Sequence, residues 1–246
     1  MLELKNITLS LKKDNRCITD GFSFTLNRGE KAVIIGEEGN GKSTLLKFIY
    51  QKNMVEEYCS AFGEVIAKGK MAYLPQMMDG GQNDVTLFEY FEDSEYYMHT
   101  DILKKLGLSV EFILSGQKLG TLSGGEKVKV QLAKLLMGEP DILLLDEPTN
   151  DLDLCTLQWL EVFIAESRLP ILYISHDETL IENTANVIVH MEQIIRKTKC
   201  RIMVSRCPYR EYLSRRKSSF AHQEQVAKKQ REDYDKQMEK WRRIYN

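Results

Sequence analysis

The chain has no apolar run approaching the eighteen or so residues that a membrane-crossing helix needs; the longest, such as Ile142 to Leu145, are strand-sized. Nor does Met1-Leu-Glu-Leu-Lys5 form a basic segment followed by an apolar one, so no secretory leader is expected. Cysteine is scarce, with five residues at Cys17, Cys59, Cys155, Cys200 and Cys207. Their odd number, wide scatter and lack of any C-x-x-C pair argue against a disulfide framework or a zinc site and read as free thiols in a reducing cytosol. Net charge is also small. Thirty-four Lys and Arg against 36 Asp and Glu leave −2, an average that by itself points neither to a nucleic-acid binder nor to an acidic carrier. What is present is a 246-residue chain with 43% hydrophobic and 28% charged residues, enough for a substantial core in one or two domains. The expected location is cytoplasmic, without membrane insertion.

Short β-rich runs alternate with helical patterns, the mark of an α/β fold whose parallel strands are covered on both faces. Strands are expected at Lys31–Ile35, Met71–Leu74, Ile142–Leu145, Ile171–Ser175 and Val187–His190. Leu2–Leu11 and Phe22–Leu26, around an Asp20–Gly21 turn, read as an antiparallel patch beside that sheet. From about residue 77 to 135 the pattern becomes helical, acidic in its first part, and predicts a small lobe. After Pro208 there is neither Gly nor Pro, and Lys, Arg, Glu and Gln dominate, which predicts one long helix. Leu213, Phe220, Ala227, Tyr234 and Trp241 recur every seven residues, with Met238 and Tyr245 beside them, so a narrow stripe seeks a partner helix or the domain's own surface. The expected division is residues 1–205 and 206–246.

Gly36-Glu-Glu-Gly39-Asn40-Gly41-Lys42-Ser43-Thr44 fits G-x-x-x-x-G-K-[ST], directly after one predicted strand and before the helical Leu45–Tyr50. Backbone N–H groups of such a loop converge on phosphate oxygens, Lys42 reaches the β/γ-phosphates, and Ser43 can ligate magnesium. A hundred residues on, Asp141-Ile-Leu-Leu-Leu-Asp146-Glu147 is an apolar strand ending in two acids. Asp146 there suits a magnesium ion, and Glu147 can polarise an attacking water. Ser123-Gly124-Gly125-Glu126 opens an amphipathic helix expected over Val128–Met137, a second N-terminus suited to an anion.

Taken in order, these motifs resemble the nucleotide-binding domain of an ABC ATPase over about residues 1–205. Leu122–Lys127 resembles the family's signature, Gln76 after Tyr73-Leu-Pro75 its Q-loop, Asn150-Asp151-Leu-Asp153 its D-loop, and His176 its switch histidine. The resemblance implies a P-loop NTPase fold of ABC type and ATP hydrolysis with magnesium. It also implies a head-to-tail pair in which ATP lies between one phosphate loop and the opposite Ser123-Gly124-Gly125. In that arrangement Gly36, Gly39, Asn40, Gly41, Lys42, Ser43, Thr44, Ser123, Gly124, Gly125 and Asp151 bind nucleotide. Ser43, Gln76 and Asp146 hold the metal, and Glu147, His176 and Gln76 serve catalysis. The second domain would lie beyond residue 246 or in another copy.

Thr149-Asn150-Asp151-Leu152-Asp153 and the run from Pro208-Tyr209 into a charged heptad helix are most similar to the ABC-F branch, soluble tandem ATPases acting at the ribosome in translation or antibiotic resistance. On that likeness the chain is the first domain and the start of an interdomain linker. The alternative is the ATP-binding subunit of a membrane transporter. Residues 206–246 hold twelve Lys and Arg and six Asp and Glu, leaving an acidic remainder, so a basic extension on an acidic domain suits RNA. Two departures stand out. Ile7-Thr-Leu9-Ser-Leu11 lacks the aromatic that usually stacks on adenine, leaving the base to aliphatic side chains or Arg16. The phosphate loop also carries Glu37 and Glu38, which oppose a polyphosphate unless they face outward.

Overall fold

The computed structural model describes residues 1–78, 80–194 and 199–219, together with Gln225, Lys228, Arg231, Asp233, Tyr234, Met238 and Trp241. Among these, strands β1 (Leu2–Leu11), β2 (Cys17–Leu26) and β4 (Cys59–Ala67) form an antiparallel sheet in the order β2-β1-β4. Strands β3 (Lys31–Ile35), β5 (Met71–Leu74), β6 (Ile142–Asp146), β7 (Ile171–Ile174), β8 (Val187–Ile194) and β9 (Lys199–Ser205) form a second sheet in the order β5-β6-β7-β3-β8-β9. It is parallel except where β9 returns along β8. The α/β class with a mainly parallel core and an antiparallel patch is therefore observed.

The central strands are apolar throughout because both their faces are covered. Ile142, Leu143, Leu144 and Leu145 are all fully buried, as are Ala32 and Val33. Helix α1 (Lys42–Tyr50) follows β3 and buries Leu45, Leu46, Phe48 and Ile49 in the same core as the inner residues of β1 and β2. After a short α2 (Asn53–Glu56) come β4 and β5, and then the lobe of short helices α3 (Leu87–Phe91), α4 (Thr100–Lys105) and α5 (Val110–Ile113). A capping box between Thr86 and Glu89 starts α3, and the Ser109 side chain caps α5. The long α6 (Gly124–Met137), α7 (Leu154–Glu166) and α8 (Glu178–Thr184) complete the layers.

Two local expectations change. Asp20 and Gly21 lie inside β2 and make no hairpin turn; the chain reverses at residues 12–16, where the Leu11 N–H donates to the Arg16 carbonyl at 2.9 Å. Gly21, at φ 62, instead accommodates the register shifts between β1 and β2. The helix expected at Val128 begins four residues earlier, because the Ser123 cap sets its first turn. Strands β4 and β9 were not anticipated.

The chain divides into two compact units, Met1–Arg206 and Cys207–Asn246. In the second, residues 209–219 are helical, Tyr209 stacks on Tyr212, and Arg215 pairs with Glu211 one turn away. Of the heptad stripe, Phe220, Ala227 and Tyr245 lie outside the described residues; Tyr234, Met238 and Trp241 are exposed. No helix among the described residues is long and apolar enough to cross a membrane.

Candidate functional site

The phosphate loop is the turn between β3 and α1, and it is held from two directions. Gly41, the N-cap of α1, sits at φ 88, and a β-carbon there would come within 2.6 Å of Ile18 on β2, so only glycine fits. On the other side the buried Asn40 amide donates to the Met191 carbonyl of β8 at 3.1 Å. Lys42 folds its ammonium over the loop, donating to the carbonyls of Gly36 at 2.8 Å and Glu37 at 3.1 Å. Burial pulls the Lys42 ammonium below its ordinary range, and Glu147, Glu38 and Asp146 pull it back up. Glu37 and Glu38 are exposed, and Glu38 remains close enough to act on the Lys42 ammonium.

Directly below the loop, β6 delivers Asp146 almost wholly buried. Ser43 Oγ donates to its Oδ1 at 2.9 Å and Tyr73 Oη to its Oδ2 at 3.1 Å. Burial pushes the Asp146 carboxyl above the usual range, opposed by the hydrogen bonds from Ser43 and Tyr73 and by Lys47 and Lys42. These are hard oxygen donors, a hydroxyl and a carboxylate in contact beside the loop, and they fit magnesium, which takes few protein ligands and fills its octahedron with water and phosphate. Tyr73 is the functional neighbour that sequence reasoning passed over. It stands three residues before Gln76, and its ring stacks on Tyr50 of α1 at 5.3 Å.

Glu147 follows with φ 49, a left-handed conformation unusual for a glutamate, and its N–H donates to the Ile174 carbonyl of the neighbouring strand at 3.1 Å. Its carboxylate is nearly buried and lies 3.2 Å from His176 Nε2, while the imidazole is more than half exposed. Burial raises the Glu147 carboxyl, against the pull of His176 and Lys42. Thr149 and Ser175 hydroxyls meet at 3.4 Å, and Ser175 also accepts from the Asp177 N–H, which shapes the turn carrying His176. Gln76 is exposed in the bend after β5.

The Ser123 motif meets the turn after β6. Ser123 and Glu126 form a reciprocal capping box at the head of α6. A β-carbon on Gly124 would come within 2.6 Å of Asp151 Cβ, and one on Gly125 within 2.8 Å of the Asp151 carbonyl. Lys129 on α6 bonds Asp153 at 2.8 Å, and Asp153 caps α7 through the Thr156 N–H. Those two partners pull the Asp153 carboxyl down to about 2. The structure thus brings together Lys42, Ser43, Asp146, Glu147 and His176 in one cluster, and Ser123, Gly124, Gly125 and Asp151 in another.

A phosphate loop over a buried acid pair, with this second motif packed on the following turn, matches a known pattern. The sequence profile of the family described as ABC transporter fits residues 19–150. The chain belongs to this family. Curated relatives of this ABC domain include the ATP-binding protein Uup of Buchnera aphidicola, 31% identical and covering 98% of this chain and 39% of the relative. The energy-dependent translational throttle protein EttA of Escherichia coli K12 is 33% identical, covering 77% and 34%. The ABC domain therefore spans less than two fifths of either. Its fold is also that of a dimeric ATP-binding cassette, MJ0796, solved with ADP and phosphate: TM-score 0.64, 22% identity, 77% of this chain and 94% of that one. As an ABC ATPase domain it takes ATP with magnesium as its ligands.

Proposed function

We propose that this chain is the ATP-binding and ATP-hydrolysing domain of an ABC-F type protein acting on the ribosome. The observation that carries the catalytic half is the pairing of a nearly buried Glu147 with His176, one residue beyond the Ser43–Asp146 contact. Loop N–H groups and Lys42 bind the phosphates, drawing the ammonium off the Gly36 and Glu37 carbonyls as charge arrives. Ser43, Asp146 and Gln76 would hold magnesium, with Tyr73 keeping the carboxylate in place; magnesium held there would supply positive charge against the negative charge developing on the phosphates. Glu147 orients the attacking water and accepts its proton, helped by a carboxyl whose burial raises its basicity. His176, anchored to Glu147 and open on its other side, contacts the terminal phosphate.

Ser123, Gly124 and Gly125 serve the ATP of a second ABC domain, in a second copy or elsewhere in a longer protein, and Asp151 supports them from behind. Support for the ribosomal half is the likeness to a translational throttle protein and the excess of Lys and Arg in residues 206–246. Sedimentation through sucrose with ATP and magnesium tests it: the Glu147→Gln chain should travel with ribosomes, and replacing Lys217, Lys228 and Arg231 with Glu should release it. The family description, ABC transporter, favours a second reading, a transporter's ATP-binding subunit. Recovery in a membrane complex, with no ribosome association, would establish that one instead.

A further inference from the structure

The five cysteines look unrelated in sequence, yet 183 residues apart Cys17 and Cys200 bring their sulfurs to 2.9 Å. Cys17 opens β2 and Cys200 lies on β9, and each of these strands is the outer edge of its sheet. Gln193 ties the same spot together: it is the β8 register partner of Cys200, and its amide donates to the Cys17 carbonyl at 2.8 Å. A disulfide bond is about 2.05 Å long, so the sulfurs need to close by less than about 1 Å. We propose that Cys17 and Cys200 form a redox-responsive dithiol whose disulfide staples the antiparallel sheet to the edge of the main sheet and stiffens the phosphate loop between them.

Ile18, next to Cys17, packs on Gly41, and Met191, two residues before Gln193, receives the Asn40 amide. Both walls of the loop therefore lead within two residues to the dithiol and its Gln193 partner, and restraining them slows nucleotide exit. The oxidant is a small-molecule disulfide. Burial and the adjacent Cys17 sulfur push the Cys200 thiol up to about 12, which disfavours Cys200 as the first nucleophile. The Cys17 thiolate attacks one sulfur of the oxidant, forming a mixed disulfide and expelling one thiolate, which takes up a proton. Cys200 then loses its proton to solvent and attacks Cys17 Sγ, expelling the second small thiol. Two protein thiols and one small disulfide become one internal disulfide and two small thiols.

Oxidised glutathione is the probe, followed by alkylation, digestion without reductant and mass spectrometry. A Cys17–Cys200 linked peptide is expected, lost in Cys17→Ser and in Cys200→Ala and retained in Cys155→Ser; the exposed Cys155 reports that oxidant reached the protein. Closing so long a loop should raise the melting midpoint by about 5 °C or more, reversibly with dithiothreitol. Separate alkylation or glutathionylation of Cys17 and Cys200, while Cys155 is fully glutathionylated, overturns the proposal. Release of a fluorescent ATP analogue should slow about fivefold on oxidation; an unchanged rate in fully linked protein overturns the effect on the loop. The loop effect rests on the ATP reading, which binding of the same analogue to reduced protein tests separately.

Discussion

Asp146 has Ser43 on one oxygen and Tyr73 on the other, and burial still dominates its titration. A carboxyl held above its ordinary pKa in the folded chain is most favourable to stability at low pH, and that contribution is lost as pH rises through the raised value. Without nucleotide, the stability of Asp146→Asn relative to the unmutated protein should therefore improve as pH rises from about 4 to 7. The same change should abolish magnesium-dependent nucleotide binding. Calorimetric melts at the two pH values check the sign. Tyr73→Phe removes one hydrogen bond without touching the metal position, so the magnesium concentration for half-maximal turnover should rise about tenfold. Turnover at saturating magnesium should be nearly unchanged. Glu147→Gln should lose about 100-fold or more in ATP turnover while still binding ATP; unchanged turnover would remove Glu147 from the reaction. The loop and the acid pair were legible as candidates because spacing alone defines them. Tyr73 was not, since a tyrosine inside an apolar strand looks like core until the fold shows which carboxylate its hydroxyl reaches.

At the scale of elements, what was readable was whatever depends on local chemistry. The buried strands β3, β5 and β6 announced themselves as short apolar runs, and their observed bounds agree within a residue. The Asp20–Gly21 pair misled because its turn chemistry also serves a bulge, and only the pairing with β1 distinguishes the two. Strand β9 alternates Lys199 and Arg201 with Cys200 and Ile202 for only four residues and buries none of its side chains fully, so it gains its identity from pairing with β8. Helix α6 shows how a cap serves two tasks at once. Ser123→Ala breaks the capping box, which should cost about 1 kcal/mol and lower Tm by about 2–4 °C. Hydrogen exchange should quicken at the amides of Gly124 to Glu126 and leave α7 protected, because Asp153 caps that helix independently.

For the molecule as a whole, the near-zero net charge conceals an acidic ABC domain joined to a basic segment, a division no average reports. A further property of the whole is that its two candidate phosphate-binding motifs do not form one cluster within a chain: Lys42 sits with Asp146 and Glu147, while Ser123 packs on the Asp151 turn. If ATP is shared between two domains head to tail, a chain with a ruined loop still offers an intact Ser123, and a chain with a ruined Ser123 still offers an intact loop. Lys42→Ala and Ser123→Arg should each be inactive alone. Mixed in equal amounts, half of the pairs formed are mixed, and each of these contains one fully intact site. The mixture should therefore recover about a quarter of wild-type ATPase activity if sites act independently and pairing is random. Its rate should rise more steeply than linearly with total protein while pairing remains incomplete. A mixture no more active than its components, at concentrations where the unmutated chain turns over, would show that nucleotide is not shared between copies.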